Sequence, residues 1–272
     1  MFASALFFGA LAVEIVCAQE PASMPQQTLR NVAGLVAHRD RKSVPVGSAF
    51  FVAVPSTAMP GRSFVYLVTA HHNLIDPETH GPARLFLTLE DRTTGAMRED
   101  VLPPETRWVL DPKNVTADVA AVPFSPENAN LAPIPFNALM GAQPGSRTVA
   151  ESGAQAYYLM AASVGKLHPR FEALARFGRV SVAIPSETDV PGAGPQQLCF
   201  LDGGVTPAFS SGAPVFVQEG LNFVLWGILE ASTGVSNNPM FAGLSGVLPA
   251  NYVGETLVAM AEAQEKNLKA QQ

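Results

Sequence analysis

The chain has 272 residues, 47% of them hydrophobic and only 15% charged, with a formal net charge of −6 at pH 7. This is enough apolar side chain for a sizeable core, and an acidic balance with no long run of Lys or Arg speaks against nucleic acid as a partner. Frequent Pro and Gly, 23 and 22 residues, favour many short strands joined by turns over long surface helices.

The chain opens on FASALFFGALAV (2–13), an apolar run too short to span a bilayer. It is followed by VCA and then QE, small residues of the kind a signal peptidase reads. The pattern predicts a signal peptide over 1–18, cut after Ala18, with export to the periplasm or the exterior and no membrane attachment afterwards. The alternative is an N-terminal strand or buried helix. Cleavage removes Cys17 and leaves Cys199 without a partner, so no intramolecular disulfide is expected and Cys199 reads as a small buried hydrophobe.

A polar, Pro-containing linker (19–28) precedes six strand-like runs over 29–124: AGLVA, VGSAFFVAV, FVYLVTA, ARLFLTL, TRWVL and DVAAVPF. A second Pro/Gly-rich stretch (125–148) reads as a linker. Six further runs follow over 149–249: QAYYLMA, FGRVSVAI, QLCFL, APVFV, NFVLWGILE and AGLSGVL. Two groups of six imply an all-β chain of two six-stranded antiparallel barrels. Val253, Leu257, Met260, Ala261 and Leu268 then recur at helical spacing, which predicts one amphipathic helix over 250–270, capped by Asn251 and packed on the second barrel.

Five histidines are available for chemistry: His38, His71, His72, His80 and His168. His72, Asp76 and His80 are spaced like metal ligands on a helix, but Pro77 breaks such a helix and no second cluster has ligand spacing, so no metal site is expected. The pair His71–His72 lies just past a strongly apolar strand.

In order along the chain, GSAFFV, LVTAHHNL, DVAAVPF, SSGAPVF and WGILEAS resemble the trypsin-like (chymotrypsin-fold) serine peptidases, in particular their disulfide-poor bacterial branch. The resemblance covers nearly the whole chain after the signal, and implies a chymotrypsin-like double barrel. Thr69-Ala70-His71-His72 matches the motif that carries the general base and assigns it to His72. Asp118 matches the triad carboxylate, and Ser211, followed by Gly212-Ala213-Pro214, matches the nucleophile. The order His, Asp, Ser differs from that of α/β-hydrolases and subtilisins. A register one residue earlier would make Ser210 the nucleophile.

The resemblance also implies that the backbone N–H groups of Ser211 and Phe209 form the oxyanion hole. Phe209 stands where the family has Gly, so its Cβ either strains the loop or turns the N–H away. Val205 stands where trypsin has its specificity Asp, which gives no support to a strict Lys/Arg preference. Glu230 stands in the pocket wall where the family has a small residue, placed either to recognise a basic side chain or to block the pocket. Ser210 replaces the Asp that would pair with a new N-terminus, so no trypsin-like zymogen switch is expected. The implied activity is that of an exported, monomeric serine endopeptidase acting on peptides or proteins without a cofactor. The alternative is a catalytically impaired protein of the same fold that binds peptides or a protein partner.

Overall fold

The computed structural model describes residues 26–39, 42–103, 105–142, 149–164, 170–190, 193–203, 209–232 and 243–271. The expected signal peptide and Val205 lie outside the described residues, as do His168 and Cys17. The chain is mostly β, in two sheets, with one α-helix at the C-terminal end.

The first sheet is built from β1 (Val32–Arg39), β2 (Lys42–Pro55), β3 (Ser63–Thr69), β4 (Leu85–Glu90), β5 (Met97–Val101), β6 (Val109–Leu110), β7 (Ala120–Pro123) and β8 (Ile134–Pro135). Its order is β5-β4-β1-β2-β3-β7-β6, antiparallel throughout, with β8 added parallel to β2. Among the described residues its pairings do not close into a ring, and it differs from the expected six-stranded barrel in two further respects. β5, MREDV, carries exposed residues alternating with half-buried ones and no large apolar face, so it pairs with β4 without a strand-like hydrophobic pattern. β8 arises inside the stretch read as a linker.

The second sheet comprises β9 (Gln155–Val164), β10 (Arg170–Val190), β11 (Gly194–Asp202), β12 (Pro214–Glu219), β13 (Asn222–Ser232) and β14 (Ser245–Pro249). Its pairings follow the cyclic order β10-β11-β14-β13-β12-β9. β10 has 21 residues, well beyond FGRVSVAI, because it pairs first with β9 and then, past two register shifts, with β11.

The period of two along a strand sorts the core. On β2, Phe50, Val52 and Val54 face a cluster shared with Leu159, Phe200 and Trp226 of the second sheet, whereas Ala49 and Phe51 face a cluster internal to the first. Each fully buried Phe or Leu in these clusters contributes about 2 kcal/mol, so the shared cluster joins the two sheets.

Helix α1 (Ala250–Gln271) begins one residue before Asn251, which therefore sits exposed in the first turn and is not the cap. Val253, Leu257, Met260 and Ala261 are buried, as the spacing predicts. The helix is not confined to the second sheet. Tyr66 Oη on β3 donates to Gln264 Oε1 at 2.5 Å. The Glu265 carboxylate accepts from Ser56 Oγ (2.7 Å) and from the backbone N–H groups of Thr57 (2.7 Å) and Ala58 (2.8 Å). These bonds hold the Glu265 carboxyl below the usual carboxylate range, chiefly the one from Ser56. The last turns of α1 thus pin the β2–β3 connection and bridge both sheets.

Candidate active site between the sheets

The apolar residues of β3 bury that strand completely by its end, and the chain then leaves the sheet in a single 3-10 turn, His71–Leu74. That turn presents His72, whose side chain keeps 24% of its surface exposed. Asp118 lies two residues before β7, the strand paired with β3, so strand pairing brings it alongside the turn.

Both Asp118 oxygens are used by the same residue. Oδ1 accepts the His72 backbone N–H at 2.8 Å and Oδ2 lies 2.5 Å from His72 Nδ1. The carboxylate therefore fixes both the position and the ring orientation of His72, with Nδ1 as the protonated nitrogen and Nε2 as the acceptor. From the second sheet, Gln196 of β11 accepts the Asp118 backbone N–H through Oε1 (3.0 Å) and donates through Nε2 to the Thr116 (2.7 Å) and Ala193 (3.0 Å) carbonyls.

Burial by itself raises the Asp118 pKa. Hydrogen bonds from His72, foremost from its ring, and the His72 charge outweigh it and bring the carboxyl down to about 2.

The loop 209–213 leads into β12 and is bonded to Asn73, the neighbour of His72. Ser211 accepts two bonds through its carbonyl, from the Ser48 backbone N–H (2.8 Å) and from Asn73 Nδ2 (2.9 Å). Asn73 adjoins His72, and its amide also donates to Thr69 Oγ1 (3.1 Å), which in turn donates to the Ser48 carbonyl (2.8 Å). Gly212 has φ +84°, and a Cβ there would stand 2.1 Å from the Ser48 carbonyl oxygen, so only Gly permits the loop to seat this closely. Its N–H donates to Leu229 O on β13 at 2.8 Å.

Among the residues singled out in the sequence, the structure brings His72, Asp118, Ser211 and Glu230 together. Ser211 Oγ donates to the main-chain carbonyl of Glu230. Ser210 is buried, its carbonyl accepting the Ala213 N–H at 3.0 Å. Phe209 adopts φ +68° and leaves 47% of its surface exposed, so the loop takes a left-handed backbone in spite of the Cβ. The Glu230 carboxyl does not line an open pocket wall: only 1% of the residue is exposed, and Oε2 lies 3.7 Å from His72 Nδ1. Burial, together with the Asp118 charge, raises its pKa well above the usual range.

His72, Asp118 and Glu230 place three ligand-type atoms within 4.8 Å of one another. A cation bonded at about 2.0–2.2 Å spreads its ligand atoms to about 3 Å or more, wider than the 2.5 Å between His72 Nδ1 and Asp118 Oδ2. That pair is spaced as a hydrogen bond.

Ser48, Thr69, Asn73 and Gln196 hold the site without having been singled out as site residues. Ser48, Thr69 and Asn73 lie inside the motifs GSAFFV and LVTAHHNL, whereas Gln196 carries no sequence signal, because its role depends on a side chain crossing from one sheet to the other.

No protein-family model matches the chain, and no curated protein resembles it in sequence to a significant degree.

Proposed function

We propose that the chain is an exported, monomeric serine endopeptidase of the chymotrypsin-like double-barrel type, with His72, Asp118 and Ser211 as its triad. The observation that carries this reading is the two-point contact of Asp118 with His72, beside a serine loop bonded to Asn73. A serine hydroxyl is a poor nucleophile until a base takes its proton, and an imidazole held at Nδ1 by a buried carboxylate is such a base.

Catalysis begins when the Ser211 hydroxyl leaves the Glu230 carbonyl for His72 Nε2. Oγ attacks the scissile carbonyl carbon as its proton passes to Nε2. The oxyanion is received by the N–H groups of Ser211 and Phe209, the latter in a left-handed backbone conformation. Collapse breaks the C–N bond and His72 gives the proton to the departing amine. Water, deprotonated by His72, then attacks the acyl carbon; the ester C–O bond breaks, and His72 returns the proton to Ser211 Oγ.

The test is digestion of a diverse peptide mixture by residues 19–272, with new termini read by mass spectrometry. Cleavage by the wild type and none by Ser211→Ala supports the reading, and no new termini with either sinks it.

A second reading is a peptide-binding protein of the same fold with impaired catalysis. The bond from Ser211 to the Glu230 carbonyl favours it, since that hydroxyl is directed to a backbone acceptor. It predicts saturable peptide binding without cleavage.

A further inference from the structure

Glu230 occupies a position where a carboxylate has no ordinary reason to be. Its side chain is fully buried, and no donor reaches Oε1 or Oε2. Among the described residues, the charged or titratable groups that face it are Asp118, from the loop before β7, and His72, from the turn after β3. Two carboxylates this close in a dry site do not both ionise. A buried, unpaired oxygen also costs several times what a satisfied one contributes.

A single proton removes both difficulties. Each Asp118 oxygen accepts from His72, yet a carboxylate oxygen has lone pairs for more than one donor. A protonated Glu230 is such a donor, and its neutral form needs no counter-charge.

We propose, on the reading of the site as a peptidase, that Glu230 is a positioning residue held as a neutral acid, which donates its proton to the Asp118 carboxylate. The array then carries one negative charge shared by two carboxyl groups, with the imidazole bonded to one end of it. Burial and the neighbouring Asp118 charge act in the direction this requires. Because the Glu230 carbonyl also accepts the Ser211 hydroxyl, one residue on β13 sets the resting position of the nucleophile through its main chain and the orientation of the base through its side chain.

The experiment combines a spectroscopic and a kinetic readout. Infrared spectra of the folded wild type are compared with those of Glu230→Gln at neutral pH, with isotope-labelled Glu identifying the carbonyl stretch of a protonated carboxyl. Labelling rates with a fluorophosphonate are followed from about pH 5 to pH 9 for the wild type, Glu230→Gln and Glu230→Ala.

The proposal expects a protonated-carboxyl band in the wild type that disappears in Glu230→Gln. It also expects Glu230→Gln, which keeps the shape and an N–H donor, to label within about threefold of the wild type, while Glu230→Ala falls about tenfold or more with a displaced pH profile. Absence of the band overturns the proposal. So does a loss in Glu230→Gln equal to that in Glu230→Ala, which would mean that Glu230 acts as an anion toward a cation or a basic substrate group. The band does not depend on activity: a band without any labelling keeps the proton on Glu230 and removes the peptidase reading instead. Should Glu230→Ala fail to fold, the spectrum and the Glu230→Gln rate still decide.

Discussion

The hydroxyl of Ser211 is donated to the backbone carbonyl of Glu230, whose carboxyl lies 3.7 Å from His72 Nδ1. Ser211, His72, Asp118 and Glu230 are therefore joined through one residue of β13, and changes at either carboxyl are felt at the other.

Asp118→Asn leaves the shape of the site but reverses the hydrogen-bond demand on His72 Nδ1. Fluorophosphonate labelling of Ser211 should drop about 10³- to 10⁴-fold at neutral pH, with the fold retained by circular dichroism. A loss below tenfold would show that Asp118 does not orient the base.

Glu230 and Asp118 act oppositely on stability as pH changes. The Asp118 carboxyl is depressed to about 2, so its contribution is present above the unfolded carboxylate range and is lost as pH falls toward that value. The Glu230 carboxyl is raised, so its contribution is present below the unfolded range and is lost as pH rises toward its folded value. Glu230→Gln removes the second effect and, by keeping an N–H donor beside Asp118, preserves most of the first. Its Tm relative to the wild type should therefore increase steadily above about pH 4.3, and thermal melts across that range will show a flat difference if the account is wrong.

Phe209 has φ +68°, a conformation that costs a residue with a Cβ about 1–2 kcal/mol and costs Gly almost nothing. At most positions Ala is more stabilising than Gly. Here Phe209→Gly should be more stable than Phe209→Ala by about 1 kcal/mol in urea unfolding. The usual order would mean that the loop relaxes away from this backbone.

Glu265 ties α1 to the first sheet through three donors from Ser56, Thr57 and Ala58. Its depressed pKa places the stabilisation above the unfolded carboxylate range, to be lost as pH falls. Glu265→Ala should lower Tm at neutral pH, and the deficit should shrink in acid as the wild-type carboxylate is protonated. A deficit that persists unchanged in acid would assign the effect to packing.

The twelve apolar runs read from the sequence all coincide with strands, because each carries Val, Phe or Leu at the period a half-buried strand needs. β5 escaped because Arg98, Glu99 and Asp100 give it no apolar face, and β8 because two residues have no period. The neighbours of His72 and Ser211 were legible as ordered motifs. The orientation of Glu230 was not, since residues on a strand near a site point either to the pocket or to the core according to register and bulges. β13 shifts register between Leu229 and Ala231, at Glu230 itself.

The measurement that bears most directly on the account is the site of fluorophosphonate attachment in the folded chain, mapped by mass spectrometry. A triad of His72, Asp118 and Ser211 gives one adduct, on Ser211, that is lost in His72→Ala and retained in Ser210→Ala. An adduct on Ser210, or a folded protein that takes no label at all, would contradict it.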